Sequence, residues 1–348
     1  MKVAVLVSGG VDSSVALALL QQQGHDVTAF YLKIWLEDEM SFLGDCPWNE
    51  DLEYAQSVCK QLNVSLEIVS LQQEYHARVV KYAINEVKNG RTPNPDIFCN
   101  NMIKFGAFYE QIGYRYDAIA TGHYADTVVV DGTVFLQLTP DAIKDQTYFL
   151  ARLAQDQLQK VIFPIGKYTK KEVRELAHTF NLPTKERKDS QGLCFLGKIK
   201  YRDFIKEHVG TQKGPLIVHE TGEKKGEHDG FWFYTIGQRQ GIRLSHGPWY
   251  VVAKDVTTNT VYISNQYYAA EKQRDVVIIN DIMGSVESNK TYDIKLRHGE
   301  HLHSGTVISY EDGKANIKLG QSDQGIAAGQ CAVLYSNGIL VASGIISE

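Results

Sequence analysis

The sequence lacks the features typical of secreted, membrane-spanning and structurally metal-bound proteins. Its five cysteines are an odd number and no two are spaced C-x-x-C, which argues against a disulfide framework and a structural zinc site. No apolar run approaches the roughly 20 residues needed to span a bilayer. The N-terminal MKVAVLVSGG lacks the long apolar core and cleavage site of a signal peptide. We therefore expect a cytoplasmic protein with no membrane partner and no metal site of its own.

An overall excess of basic charge is also absent. The formal net charge is -5, which argues mildly against general nucleic-acid binding. Basic residues nevertheless cluster locally, because residues 160–210 contain twelve Lys and Arg against six Asp and Glu, a balance of +6. A solvated, salt-bridged surface is the commoner explanation of such a stretch, and contact with a nucleic acid is the alternative.

The order of apolar runs predicts an α/β fold in the first half of the chain. Strand and helix patterns alternate, with strands at 2–7, 26–31, 66–69 and 117–121 and helices at 11–23 and 52–62. This alternation is typical of a doubly wound parallel sheet, in which ligands bind at the carboxyl ends of the strands. The turns at Gly9-Gly10 and Gly122-His123 both follow strands, so we expect them at that edge.

The pattern changes near residue 200. Short alternating runs follow, including an expected hairpin at 249–253 and 260–264 and strands at 275–279, 293–296, 305–309, 314–319, 332–335 and 339–342. The dipeptide Asn337-Gly338 is a strong signal for a hairpin turn. We therefore predict a catalytic α/β domain at 1–199, a small central domain at 200–270 and a C-terminal β-barrel at 271–348.

The most specific local motif is S-G-G-V-D-S-S at residues 8–14, between the first strand and the first helix. It matches neither G-x-x-x-x-G-K-[ST] nor G-x-G-x-x-G, and no lysine is placed to reach β- or γ-phosphates. Glycines allow backbone N–H groups to approach an anion, and the helix start adds unpaired N–H groups. The pattern resembles the pyrophosphate loop of ATP pyrophosphatases, which cleave ATP between the α- and β-phosphates. The alternative is a tight turn capped by Ser and Asp.

Two further segments carry cysteines in distinctive surroundings, G-R-T-P-N-P-D-I-F-C-N at 90–100 and K-D-S-Q-G-L-C-F at 188–195. The prolines stiffen the first segment, where Asp96 could act as a general acid or base three residues before Cys99. Basic residues shortly before Cys194 would favour its thiolate, the reactive form. From the pattern alone, a structural role is the commoner one for each cysteine.

Together these motifs closely resemble those of the tRNA-specific 2-thiouridylases of bacteria and organelles. The resemblance spans essentially the whole chain and also includes I-A-T-G-H-Y-A, K-D-Q-T-Y-F-L, T-I-G-Q-R and P-W-Y-V-V. It implies a pyrophosphatase-type α/β domain, a small central domain and a C-terminal β-barrel. It also implies an enzyme that adenylates wobble uridine 34 at C2 with ATP. Sulfur from a cysteine persulfide then gives 2-thiouridine, with release of AMP and pyrophosphate.

The resemblance assigns roles to individual residues. The ATP-binding positions would be Val7, Ser8, Gly9, Gly10, Val11, Asp12, Ser13, Ser14, Leu32 (often Met in the family) and Gly122. The target base would lie against Asn94, Pro95 and Asp96, with Cys99 as the nucleophile and Cys194 as the persulfide carrier. The tRNA contacts would be His123, Lys144, Asp145, Gln146, Arg297, His298 and Gln330, although the sequence after Arg297 diverges from the family pattern.

The resemblance also implies partners. These are ATP with Mg²⁺, the anticodon loop of tRNA-Lys, tRNA-Glu or tRNA-Gln, and a sulfur donor protein, either a persulfide relay or a cysteine desulfurase. Cys99 would either form a transient disulfide bond with Cys194 or assist displacement. The wobble base must leave its stack, and Phe98 or Tyr124 could receive it or could simply be packing residues. Residues 35–50 depart from the family pattern, and we expect a surface loop there rather than a lid.

Two other functions remain open at this point. One is a related adenylating enzyme, such as an amidotransferase or synthetase, that acts on a small molecule. The other is an inactive RNA-binding module that kept the fold. The two cysteine segments and the basic stretch argue against the first, and an assay for tRNA-dependent release of AMP would separate all three.

Overall fold

Three β-sheets organise the chain in its computed structural model, which describes residues 1–34, 48–188, 200–266, 274–323 and 325–347. The strands are β1 Lys2–Leu6, β2 Asp26–Lys33, β3 Leu66–Ser70, β4 Ala118–Thr121, β5 Asp126–Val130, β6 Thr133–Gln137, β7 Val161–Ile162, β8 Gly214–Val218, β9 Lys224–His228, β10 Tyr250–Asp255, β11 Thr260–Ser264, β12 Arg274–Gly284, β13 Thr291–Lys295, β14 His303–Glu311, β15 Lys314–Asp323, β16 Cys331–Ser336 and β17 Ile339–Ile346.

The helices lie mostly in the first half of the chain. The α-helices are α1 Val11–Gln22, α2 Trp48–Leu62, α3 Gln72–Tyr75, α4 Lys81–Lys88, α5 Pro95–Phe98, α6 Phe108–Gln111, α7 Gln155–Leu158, α8 Lys170–Thr179 and α9 Tyr201–Val209. The π-helical segments His76–Val80 and Cys99–Ala107 connect α3 to α4 and α5 to α6. Short 3₁₀ turns occur at Gly113–Arg115, Thr147–Leu150 and Phe231–Phe233. Among the described residues, no helix is long and apolar enough to cross a membrane.

The first sheet is parallel, with the strand order β3-β2-β1-β4-β7. The chain moves outward from β1 to β3 and then returns to the other side of β1 at β4, so the strand order reverses between β1 and β4. This arrangement confirms the expected doubly wound α/β fold. In such sheets the ligand crevice lies at the point of reversal, beyond the carboxyl ends of the two strands.

The first strand is apolar and buried from Val3 to Leu6 because both of its faces are covered there. Val3 and Val5 lie in the core that contains α1, and Ala4 and Leu6 lie in the core on the opposite face of the sheet. Successive side chains of a strand point to opposite faces, so a strand in the centre of a two-sided sheet needs apolar residues at every position. The first sheet is thereby held rigidly behind the residues that follow β1.

The central sheet has four strands in the order β10-β11-β8-β9. The expected hairpin is present as the antiparallel pair β10 and β11. A small core covers this sheet and includes Leu216, Phe231, Trp249, Val251 and Ile263. This part of the chain confirms the expected small central unit.

The last sheet closes into a barrel. Six strands follow the order β12-β15-β14-β13-β16-β17, and β12 also pairs with β17. The expected turn joins β16 to β17, with positive φ angles of 51° at Asn337 and 76° at Gly338. Positive φ at both central residues is the requirement of a type I′ turn, and Asn-Gly satisfies it at little cost. The expected C-terminal β-barrel is therefore confirmed.

A hairpin from the first half of the chain extends the barrel sheet, which the sequence did not indicate. Strand β6 pairs with β17 through Gln137 and Ile339, and the Leu138 N–H donates to the Gly338 carbonyl at 2.9 Å. A buried apolar cluster continues this contact and contains Ile97, Tyr148, Ala151, Cys331, Val333 and Tyr335. The barrel is therefore packed directly against the segment that carries the first cysteine motif.

Candidate active site

The S-G-G-V-D-S-S segment forms a tight loop between β1 and α1, which we call the phosphate loop (residues 8–14). Gly9 has a φ of +72°, and a side chain there would collide with the Asp51 carbonyl, so the position requires glycine. Gly10 is the N-cap residue of α1 and has no side chain that could cap the first turn. The Ser14 hydroxyl donates to the Gly10 carbonyl at 2.8 Å, so it does not cap the N–H groups of the first turn either. The helix start therefore presents backbone N–H groups, the usual basis of a phosphate site.

Other expected nucleotide-binding residues lie at the same edge of the sheet. Val7 and Leu32 are near the carboxyl ends of β1 and β2, and the Val7 N–H donates to the Phe30 carbonyl. Gly122 follows β4, and a Cβ there would lie 2.6 Å from the Ser13 nitrogen. Only glycine permits this close approach, so the structure brings Gly122 and the phosphate loop together.

The carboxylate of Asp12 in the phosphate loop is bound by two residues from distant parts of the chain. The Lys170 ammonium lies 2.8 and 3.0 Å from its two oxygens, and the Tyr124 hydroxyl donates to it at 2.8 Å. A capping box between Thr169 and Glu172 fixes the start of α8, where Lys170 is the first residue. The capping box is visible in the sequence, but its position beside the phosphate loop is not. A lysine is therefore present beside the phosphate loop, where the sequence motif had indicated none.

Arg187, from the basic stretch, also reaches the phosphate loop. Its guanidinium donates to the Gly9 carbonyl at 2.6 Å and forms an ion pair with Asp51. Burial raises the pKa of Asp51, and the ion pair with Arg187 opposes that rise. Two residues of the basic stretch, Lys170 and Arg187, thus bind the phosphate loop. Cys194, the predicted persulfide carrier, lies in 189–199 and Cys46 lies in 35–47, so both cysteines are outside the described residues.

The first cysteine motif forms a second loop, which we call the target-base loop (residues 90–96). Asn94 caps α5 by accepting from the Ile97 N–H at 3.4 Å, and Pro95 occupies the first helical turn. Asp96 is half-buried, and Cys99 begins the π-helical segment with 1% of its surface exposed. Asn94 and Asp96 are therefore accessible in part, whereas Cys99 is covered.

The target-base loop is held by the barrel. The side-chain amide of Gln330 donates to the Thr92 carbonyl at 3.0 Å and to the Pro93 carbonyl at 3.2 Å, and the Thr92 N–H donates to the Ala328 carbonyl at 2.7 Å. Gly329, at a φ of +90°, leaves no room for a side chain beside Thr92. The donors of Gln330 are thus used on the loop, and its predicted contact with tRNA stays a prediction.

The central unit holds the opposite side of the same loop. The hydroxyl oxygens of Thr92 and Thr235 are 3.4 Å apart. A Cβ at Gly90 would lie 2.5 Å from the side chain of Val256. The target-base loop, which belongs to the α/β part of the chain, is therefore in contact with both the central unit and the barrel.

A short segment, residues 144–149, connects the phosphate loop to the target-base loop. Gln146 exchanges two hydrogen bonds with the backbone of Tyr124, at 2.7 and 2.9 Å, and Tyr124 binds Asp12. At the other end of the segment, the Asn94 amide nitrogen lies 3.5 Å from the Tyr148 hydroxyl. The side-chain amide of Asn100, the residue after Cys99, donates to the Phe149 carbonyl at 3.0 Å. We call residues 144–149 the bridging segment. It fixes the two loops relative to each other.

The bridging segment is also tied to the barrel through Asp145. The Lys295 ammonium lies 2.9 Å from an Asp145 oxygen, with both side chains almost fully buried. Lys144, the residue before it, is half-buried. The predicted contact of Asp145 with tRNA is untested, but its carboxylate faces the interior of the protein.

The remaining expected tRNA contacts have different surroundings. His123 is half-buried and bonded to the Thr121 hydroxyl at 2.8 Å, and burial, with a smaller effect of Lys104, holds its pKa well below the usual value. Arg297 is exposed and paired with Asp323. His298 is exposed at one edge and stacks on Phe149, with ring centroids 4.4 Å apart. These three residues lie beside the bridging segment or on the barrel near it.

Two other cysteines and two aromatic residues can be assigned to packing. Burial raises the pKa of the Cys59 thiol to about 11 and that of Cys331 to about 12, so neither forms a thiolate readily. The Phe98 ring is buried against Tyr82 at a centroid distance of 4.1 Å, and Tyr124 is buried beside Asp12. Both rings therefore pack against protein neighbours, and stacking of the wobble base on either ring stays a prediction.

Comparison with known proteins identifies the family. The family model described as a tRNA methyl transferase HUP domain matches residues 1–198. A PRC-barrel domain and an aminomethyltransferase beta-barrel domain follow at 202–265 and 260–346. The tRNA-specific 2-thiouridylase MnmA of Parabacteroides distasonis is 45% identical over 342 residues, covering 96% of this chain and 95% of that protein. The chain belongs to the tRNA-specific 2-thiouridylase family.

Other relatives agree with membership of the 2-thiouridylase family. The tRNA-specific 2-thiouridylase MnmA 1 of Bacteroides thetaiotaomicron is 45% identical over 357 aligned residues, covering 100% of both chains. Among solved structures, a 4-thiouridine synthetase–RNA complex with bound ATP aligns with 18% identity and a TM-score of 0.37, covering 60% of this chain and 50% of that one. That score is too low to carry an argument. The resemblance indicated by the motifs, and the enzyme class that it implied, are confirmed.

Proposed function

We propose that the protein binds ATP at the phosphate loop, adenylates O2 of uridine 34 in a tRNA and replaces that oxygen with sulfur. One observation carries the proposal, namely the path of contacts from Asp12 through Tyr124 and the bridging segment to Asn100 beside Cys99. It joins the helix start at the phosphate loop to the helical segments that carry Asp96 and Cys99. Such an arrangement suits a reaction in which a phosphoryl group and a sulfur atom reach the same base.

The first step is the activation of the base. ATP phosphates would lie against the backbone N–H groups of residues 8–14 and Gly122, with Lys170 close to the same anion. The described residues contain no cluster of three or more metal-ligating side chains, so Mg²⁺ would arrive bound to ATP. Uridine O2 attacks the α-phosphorus, the bond to the β-phosphate oxygen breaks and pyrophosphate leaves. The adenylated oxygen is then a good leaving group.

The second step is the transfer of sulfur. A donor protein, either a persulfide relay or a cysteine desulfurase, loads a persulfide onto Cys194. Its terminal sulfur attacks C2 of the adenylated uridine and AMP departs. The Cys99 thiolate then attacks the Cys194 sulfur, which breaks the S–S bond, leaves sulfur on C2 and forms a Cys99–Cys194 disulfide. A thiol reductant restores both thiols before the next turnover.

The burial of Cys99 adds a requirement to this mechanism. With 1% of its surface exposed, the thiol can meet the persulfide only after bound tRNA has uncovered it. Alkylation of Cys99 should therefore be slow in the free protein and faster with tRNA and ATP present. Asn94, Pro95 and Asp96 would hold the entering base, with Asp96 moving a proton at the uridine.

The finer assignments are proposed on the same basis. The substrates would be tRNA-Lys, tRNA-Glu and tRNA-Gln in the cytoplasm. The three sheets and the three family-model ranges support domains at 1–199, 200–270 and 271–348. The phosphate loop favours an ATP-dependent reaction over the methyl transfer that the domain descriptions name, because its exposed N–H groups suit an anion.

The experiment is mass spectrometry of tRNA nucleosides after incubation with ATP and a persulfide donor. Wild-type protein should make 2-thiouridine at position 34 and release AMP and pyrophosphate. Cys99→Ala and Cys194→Ala should both form adenylated tRNA but no 2-thiouridine. In the Cys99→Ala protein, Cys194 should gain about 32 Da, the mass of one sulfur atom added to a thiol.

A matched control is Cys59→Ala, because that thiol is buried in the apolar core that contains α1, has no part in the proposed chemistry and should be dispensable. ATP cleavage that depends on a small molecule and not on tRNA would support the rival adenylating enzyme. Tight tRNA binding without ATP cleavage would support the inactive module. Full thiolation by Cys99→Ala or by Cys194→Ala would refute the two-cysteine mechanism.

A further inference from the structure

The central part of the chain contains a cleft that the proposed reaction does not use. It has a volume of about 380 Å³ and is formed by residues of the segment between Thr235 and β10. Its lining includes Arg239, Arg243, Leu244, Pro248 and Trp249. Arg239 and Arg243 are both exposed, and Trp249 is buried.

These two arginines differ from the other nine that the structure describes. Each of the nine is held by a carboxylate, a backbone carbonyl or a tyrosine hydroxyl: Arg78, Arg91, Arg115, Arg152, Arg174, Arg187, Arg202, Arg274 and Arg297. Within the described ranges, Arg239 and Arg243 have no ion pair and no side-chain hydrogen bond. Two guanidinium groups, each with five N–H donors, therefore line one cleft with no protein acceptor among the described residues.

The backbone that carries the two arginines is well fixed. The side chain of Gln238 accepts from the Thr235 N–H at 3.0 Å and donates to the Gln240 carbonyl at 2.8 Å. Its backbone carbonyl accepts from the Val251 N–H at 3.0 Å, and the Trp249 indole donates to the Ser245 carbonyl at 2.9 Å. Such anchoring lowers the entropy lost when the arginines bind a ligand.

The charge around the cleft favours an anion. Residues 235–253 contain no Asp or Glu. The neighbouring strand β9, whose Gly226 lies against Leu244, carries one acidic residue, Glu227, and it pairs with Lys224 at 2.9 Å. Arginine binds phosphate through parallel N–H donors, and phosphate contacts supply most of the affinity of proteins for nucleic acids.

The cleft is also close to the proposed base site. Thr235, which contacts Thr92 of the target-base loop at 3.4 Å, is four residues before Arg239. The Cα atoms of Thr235 and Arg239 are therefore at most roughly 14 Å apart. A tRNA whose base lies against Asn94 and Asp96 would carry its backbone across this part of the central unit.

We propose that Arg239 and Arg243 bind backbone phosphates of the substrate tRNA and hold it on the central unit. This inference rests on the proposed function, which supplies the tRNA. It assigns the cleft a binding role and no part in the chemistry, so the turnover of bound tRNA should not depend on it.

The test is the affinity for a tRNA-Glu transcript with uridine at position 34, measured between about 50 and about 200 mM salt. The double variant Arg239→Gln/Arg243→Gln should bind about ten-fold more weakly or worse at low salt. The slope of log K against log salt should fall by roughly 0.7–0.9 for each phosphate that is no longer neutralised. The turnover number at saturating tRNA should stay at the wild-type value while KM rises.

Two variants provide matched controls. Arg239→Lys/Arg243→Lys keeps both charges and should keep most of the salt slope. Arg202→Gln removes an arginine of the same part of the chain that is already paired with Asp229, so it should leave the slope unchanged. Should the double glutamine variant lose its wild-type unfolding midpoint, the two single variants serve instead, each with half of the slope change.

Unchanged affinity and slope in the double glutamine variant would overturn the inference. So would binding of inorganic phosphate that needs both arginines while tRNA binding does not, because the cleft would then take a free anion. The proposed function is judged separately by 2-thiouridine formation in the wild-type protein. If the wild type makes no 2-thiouridine but its tRNA affinity still depends on the two arginines, the reaction is wrong and the RNA site stands.

Discussion

The buried ion pair between Asp145 and Lys295 gives the most quantitative prediction. Lys295 lies 2.9 Å from the carboxylate, and the Lys295 and Asp145 side chains are 2% and 1% exposed. The carboxylate has three other donors, the Thr139 N–H at 3.0 Å, its hydroxyl at 3.2 Å and the Thr147 hydroxyl at 2.6 Å. The ammonium also lies over the Tyr335 ring, at 5.9 Å from its centroid. When Lys295 is lost, the carboxylate left behind keeps three hydrogen-bond donors, whereas the ammonium left behind by loss of Asp145 keeps only its contact with the ring among those named here. Loss of Asp145 should therefore cost more than loss of Lys295.

Removing one member of a buried ion pair leaves an uncompensated charge and typically costs about 3–5 kcal/mol. We expect about 3 kcal/mol for Lys295→Met, because three donors still solvate the carboxylate, and about 4–5 kcal/mol for Asp145→Asn. The double variant should lose less than Asp145→Asn alone, since neither charge remains buried.

The assay is unfolding in urea, monitored by hydrogen exchange of the backbone amides in β6 and β13, the strands near the two members of the pair. Local protection is needed because a chain with three sheets need not unfold in one step. The control is Lys318→Met, which breaks the exposed ion pair with Asp275 and should cost about 0–1 kcal/mol. Single-variant losses below about 1 kcal/mol, or a double-variant loss equal to the sum of the two, would refute the reasoning.

Two further predictions concern the site. Gln330→Ala should lower turnover by about ten- to a hundred-fold with little change in tRNA affinity, because the amide holds the target-base loop; a higher Kd with normal turnover would instead show a direct tRNA contact. Because burial lowers the pKa of His123, the folded protein disfavours the imidazolium, which the unfolded chain forms near pH 6.5. The contribution of His123 to stability is therefore present above about pH 6.5 and lost as the pH falls. The unfolding free energies of the wild type and of His123→Gln should converge in acid. Parallel plots of the two free energies against pH would contradict this.

The sequence by itself determined the features that depend on neighbouring residues. The apolar run of β1 reflects a strand that is covered on both faces, and Asn337-Gly338 supplies the positive φ angles of its turn. The glycines at 9 and 122 are required by close backbone approach, so the phosphate loop could be found from its motif. Periodicity and backbone conformation are local properties, and a single chain records them directly.

Only the tertiary structure decided which distant residues complete the site. Lys170 is 158 residues from Asp12, and Arg187 is 178 residues from Gly9, yet the two hydrogen bonds measure 2.8 and 2.6 Å. Gln330 on the target-base loop and Lys295 on Asp145 are likewise brought together from distant parts of the chain. A hydrogen bond acts over a few ångströms in space and leaves no periodic mark along the chain, so these partners became visible only once the sheets had brought them together.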